Sequence, residues 1–147
     1  MQIKTFKGKL DMGLQEQIRL STNDGLTGYR INKFQLMSST PGTTGSVEYV
    51  AQIFLTDQTG NITNAVDFND PDLLGVAFYQ DRANASSNTE TIILDKETFN
   101  QDIFINITDA EGGSIPCNYY IELEQMKLDL NASTYITIKN IRSRTQV

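Results

Sequence analysis

From Asn118 to Arg142 the chain reads NYYIELEQMKLDLNASTYITIKNIR. Tyr119, Ile121 and Leu123 alternate with polar or charged neighbours. That repeat of two puts one face of an extended strand on a core and the other in water, whereas a helix needs a repeat near 3.6. The run predicts two long strands joined by a tight turn at Asn131-Ala132-Ser133, and it constrains the chain to a sheet-based fold.

The same period recurs upstream. Leu14, Ile18 and Leu20 alternate with Gln15, Gln17, Arg19 and Ser21, a half-buried strand. Between Val47 and Thr56 the odd positions Val47, Tyr49, Ala51, Ile53 and Leu55 are all apolar, and Val50 and Phe54 add apolar character to the other face, as in a central strand. Ile103, Ile105 and Ile107 form another alternating set, with Phe104 opposite. Further strands are expected over Ile3 to Leu10, Tyr29 to Met37, Gly75 to Tyr79 and Thr89 to Leu94.

Two strands change phase midway. Tyr29 and Ile31 are odd where Phe34 and Leu36 are even, and a similar slip falls between Leu123 and Met126. A one-residue slip sends side chains to the opposite face, so each marks a candidate β-bulge. Turn chemistry punctuates the strands at Asn23-Asp24-Gly25, Thr40-Pro41-Gly42, Thr59-Gly60-Asn61 and Glu111-Gly112-Gly113. Asp70-Pro71-Asp72 is a helix-start signal for one short helix ended by Gly75. Arg82 to Glu90 is small and polar and reads as an exposed mobile loop.

Eight or nine short antiparallel strands with at most one short helix imply an all-β, jelly-roll-like β-sandwich. At 147 residues it fits one domain, residues 1–147, able to bury roughly 70% of its unfolded surface without disulfide or metal. An immunoglobulin-like sandwich is the alternative, but the chain has no Trp and a single Cys where that fold places a buried Trp and a Cys pair.

The composition narrows the chemistry. There is no His, the usual general base near neutral pH and the commonest metal ligand. Cys117 has no His partner and no second Cys, and reads as a packed thiol. Glu122 and Glu124, two apart on one strand, put their carboxylates on one face about 7 Å apart, near the spacing of glycoside cleavage. No aromatic platform accompanies them, and they read as a solvent face. The oxygen-rich groups Asp67, Asn69, Asp70, Asp72 and Asp109, Glu111 have the ligand chemistry of calcium without its twelve-residue loop spacing. Pro41 to Ser46 has glycines but no following Lys or helix, so it lacks the context of a phosphate loop. No catalytic residue, cofactor or metal is assigned, and the expectation is a protein that is not an enzyme.

Net charge is −6, unevenly distributed. Residues 1–33 hold six basic and three acidic side chains, 34–126 two and fourteen, and 127–147 four and one, giving +3, −12 and +3. An acidic middle argues against nucleic acid as a partner. No apolar run approaches the roughly 20 residues that cross a bilayer, and the N-terminus lacks a signal-peptide core, so synthesis in a cytosol is expected and a membrane partner is not.

The strings Thr98-Phe99-Asn100-Gln101-Asp102-Ile103, Cys117 to Glu124 and Thr137-Ile138-Lys139-Asn140-Ile141-Arg142 resemble small virion structural proteins of marine tailed phages. The resemblance covers roughly the last third of the chain. It implies a β-rich, non-enzymatic virion component synthesised in the host cytoplasm, such as a head decoration protein bound to the major capsid protein or other virion proteins. It also implies a homo-oligomer, with a trimer as one form. Were the terminal strands paired, Lys4, Lys7, Lys9, Lys139, Arg142 and Arg144 would gather into one docking surface for an acidic shell. The alternative is a carbohydrate- or receptor-binding module of a tail or spike, for which Tyr29, Tyr49, Tyr79, Tyr119, Tyr120 and Tyr135 are the available platforms.

Overall fold

The structure is a computed structural model that describes residues 2–42, 45–82, 88–94 and 97–145, the last four by their backbone alone. Eight strands precede one helix: β1 (Gln2–Leu10), β2 (Gln15–Ile18), β3 (Thr27–Ser38), β4 (Val47–Phe54), β5 (Leu73–Asp81), β6 (Asn88–Ile93), β7 (Ile103–Asp109), β8 (Cys117–Lys127) and α1 (Leu130–Thr145). They form two antiparallel sheets, β1-β8-β3 and β2-β7-β4-β5-β6.

The pairing is nested. β1 pairs with β8, β2 with β7 and β4 with β5. The remaining two strands meet side on: β6 hydrogen-bonds to β5, and its Thr91 hydroxyl donates to the Phe34 carbonyl of β3 at 2.8 Å. First with last, second with second-last and so inward is the order of a jelly roll, a long hairpin rolled into a sandwich. β6 completes the five-stranded sheet while closing the side of the sandwich next to β3.

The inner faces follow the period in the sequence. Cys117, Tyr119, Ile121 and Leu123 of β8 are buried against Tyr49, Ala51 and Ile53 of β4 and Ile103, Ile105 and Ile107 of β7 in one continuous core. β4 is the central strand of its sheet, as its two apolar faces predict. Its outward Gln52 is also buried, because residues 57–72 fold over it, and its side-chain amide donates to the carbonyls of Thr63 and Ala65. Tyr119 packs over Gly8, its register partner on β1, where any Cβ would meet the ring at 2.8 Å. The Tyr119 hydroxyl reaches across the sandwich to donate to Glu16 of β2 at 2.8 Å.

The phase change in β3 is a bulge: Ile31 faces Leu123 and Lys33 faces Glu122, so Asn32 has no partner and Tyr29, Ile31, Phe34 and Leu36 share the inner face. The slip between Leu123 and Met126 is not one. The register of β8 against both neighbours is unbroken there, and Gln125, a polar residue, holds the inward position opposite Gln2 and Tyr29.

Two sequence expectations fail on local capping. Residues 130–145 are a helix, and no hairpin turns at Asn131-Ala132-Ser133. Asp129 caps the helix, its side chain accepting from the Ala132 amide at 2.7 Å and its carbonyl from Ser133. Asp70-Pro71-Asp72, by contrast, forms a turn and no helix: Asp70 accepts from the Asp72 amide, and the Leu55 amide bonds to the Asp72 carbonyl, delivering the chain directly into β5. Of the loop expected over Arg82 to Glu90, the last three residues belong to β6, and residues 83–87 lie outside the described ones.

Candidate functional site

Cys117, Asp67, Asp70 and Asp109 have structural partners, and Glu122 and Glu124 face basic residues across the sheet. Cys117 is fully buried, and burial pushes its thiol up to about 12, far from a reactive thiolate. Glu122 and Glu124 stand on the outer face of β8, where Glu122 lies between Thr5 and Lys33 and Glu124 between Ile3 and Arg30. The basic residues of β3 are thus the register partners of this acidic pair. Asp67 and Asp70 each accept a backbone amide two residues on, and Asp109 accepts those of Glu48 and Glu111. Among the described residues no three His, Cys, Asp or Glu side chains converge as a metal site. Residues 43 and 44 of the glycine-containing Pro41 to Ser46 stretch lie outside the described residues.

The six expected docking residues fall into two groups. Lys4, Lys7 and Lys9 lie on β1, an edge strand without an acidic residue, and all three are exposed. Lys7 and Lys9 share the outer face with Ile3 and Thr5, and Lys4 takes the opposite parity. Lys139 is on α1 and forms an ion pair with Glu97; Arg142 and Arg144 follow on the same helix. The helix packs on the far side of the sheet from β1. Its Asn140 side-chain Oδ1 accepts from the Asn100 backbone amide, its Thr137 hydroxyl accepts from the Asn100 side chain, and its Ser133 hydroxyl donates to the Gly25 carbonyl at 2.7 Å. The Tyr29–Phe99 bridge ties that segment to the β3 edge, so β8 and β3 stand between β1 and the ground on which α1 rests. The expected pairing of the chain ends is met only by β1 and β8, because residues 139–144 are helical.

The helix does not bury an apolar face, although Ile136 is half-buried. Its buried positions are polar, Ser133 at 4% exposure and Asn140 at 0%, while Leu130 is 73% and Tyr135 69% exposed. Ile138 and Ile141 are also open to solvent. Gly25 makes this possible: at φ +67 it turns its carbonyl to receive both Ser133 and Asn100. Large apolar side chains thus stand outward on α1, interspersed with the exposed Asn131 and Thr134, which is the reverse of an ordinary surface helix. A second exposed apolar pair, Val66 and Phe68, flanks Asp67 on the loop that Gln52 pins.

A groove of about 480 Å³ opens beside β3, with Tyr120, Phe78, Lys7, Gln35, Glu90 and Asn118 among its lining. Of the six tyrosines, Tyr29, Tyr49, Tyr79 and Tyr119 are core residues, which leaves Tyr120 and Tyr135 as surface platforms. No helix among the described residues is long and apolar enough to cross a membrane. Comparison with protein-family models, curated proteins and solved structures gives no match, so the chemistry of these surfaces is the ground for a functional reading.

Proposed function

We propose that the protein is a non-enzymatic structural component of a phage virion, made in the host cytoplasm, that decorates the head by binding the major capsid protein. The observation that carries this reading is the basic edge of the jelly roll. Lys4, Lys7 and Lys9 stand exposed on β1 in a protein whose residues 34–126 sum to −12, and among the described residues none has an ion-pair partner. Within the monomer such lysines guard a sheet edge against pairing with another sheet. Against an acidic shell the same three charges give orientation and a salt-dependent affinity. The resemblance of the 98–103 and 117–124 strings to tailed-phage virion proteins supports the same reading.

Purified particles analysed by mass spectrometry are expected to contain the protein, and its absence from them refutes the assignment. In co-sedimentation with stripped particles, the triple variant K4E/K7E/K9E should bind about tenfold or more weakly at low salt, on the scale of three exposed ion pairs. Its binding should also lose most of its salt dependence. Unchanged affinity at low salt removes the electrostatic part of the proposal.

The groove favours a second reading, a glycan-binding module, because Tyr120 and Phe78 line it together with the polar Lys7, Glu90 and Asn118. A glycan array with hits that vanish in Tyr120→Ala supports it, and an array without hits ends it.

A further inference from the structure

We infer that the outward face of α1 binds, in a second copy of this chain, the loop that presents Val66 and Phe68. This contact is independent of the capsid-binding role of β1. Leu130, Tyr135, Ile138 and Ile141 are large apolar side chains exposed on α1 among Asn131 and Thr134, while Ser133, Thr137 and Asn140 are spent on Gly25 and Asn100. Such a face is covered in the working state of a protein. The chain itself supplies a match. Val66 and Phe68 (56% exposed) protrude from a loop made rigid by the buried Gln52 amide, which bonds the carbonyls of Thr63 and Ala65 at 3.1 and 3.0 Å. The backbone amide of Asn69 closes on Asp67 and fixes the turn between them. A pre-ordered loop loses little conformational freedom on docking.

Charge selects between the ways two copies can meet. Residues 130–147 carry Lys139, Arg142 and Arg144 and no acid, whereas residues 57–72 carry Asp57, Asp67, Asp70 and Asp72 and no base. Helix against helix about a two-fold axis brings like charges together. Helix against the loop of the next copy sets a segment that is basic in sequence, even with Lys139 paired to Glu97, against an acidic one. The contact is therefore heterologous: each copy gives its helix to one neighbour and its loop to another, and a closed ring satisfies every copy. One patch of this kind covers on the order of a few hundred Å². That is below the roughly 800 Å² per partner of a standard interface, so each contact is weak alone and the closed ring, in which every copy makes two, holds the assembly together.

The test uses the full chain and light scattering at low salt, with circular dichroism to establish that each variant is folded. The wild type should have the mass of a closed oligomer and dissociate as salt is raised. Ile138→Asp and Phe68→Asp, both at exposed positions, should each be monomeric alone. Mixed one to one, at concentrations well above those that assemble the wild type, they should form a dimer, because the intact loop of the first fits the intact helix of the second. A monomeric wild type overturns the inference. So does a Phe68→Asp variant that still assembles, which indicates helix-to-helix contact, and so does a mixture that stays monomeric.

Discussion

Asp102 stands just before β7 and organises the chain that follows β2. Its carboxylate accepts from the Leu20 amide at 2.7 Å, the Ser21 amide at 2.9 Å and the Gln17 side chain at 2.7 Å. Burial alone raises the pKa of such a group, but the Ser21 and Leu20 amides and the Gln17 amide together outweigh it and hold the carboxyl below its ordinary value. The sign of the linkage follows from that direction. A depressed folded pKa means the unfolded chain takes up the proton first, so the stabilisation is complete above the unfolded value of about 3.9 and is lost as pH falls through the folded one. Thermal melts should therefore show a loss of stability below about pH 4 that is blunted in Asp102→Asn. At neutral pH, Asp102→Ala strands two backbone amides and is expected to cost about 2–3 kcal/mol in urea unfolding. A neutral result would mean that solvent reaches this segment.

Elements were legible in the sequence where an apolar repeat coincided with burial. β4, β7 and β8 followed their alternation, and the bulge in β3 was marked by its own change of phase. α1 was not legible because its buried face is built of Ser133, Thr137 and Asn140, which fall at helical spacing but are polar. The apolar residues left over, Tyr135 and Ile138 among them, then read as a strand. The same inversion hid the contact surfaces, because the charges were countable but their distribution between β1 and α1 depends on where the last element goes. This dependence on polar anchoring is itself measurable. Asn140→Ala removes the acceptor for the Asn100 amide and should cost about 1–2 kcal/mol. Hydrogen exchange should then rise across residues 130–145 while β4, β7 and β8 remain protected. Uniform loss of protection would show instead that α1 is integral to the core's cooperativity.

At the scale of the whole molecule, the nested pairing joins residues far apart in sequence, and each sheet draws strands from both halves of the chain. The jelly roll was expected from strand count and turn spacing, whereas the side-on seat of β6, bonded to β5 and touching β3, is a property of the rolled assembly alone. Pairing of β1 with β8 also fixes an order in time. On the ribosome the first strand made must wait, its edge unsatisfied, until the last strand has cleared the exit tunnel. Only Leu128 and Asp129 separate β8 from α1, so the strand that completes the sheet and the helix that packs beside it become available almost together. The three-stranded sheet therefore cannot close before β8 is available, and the lysines of β1 keep the waiting strand from pairing elsewhere in the interval.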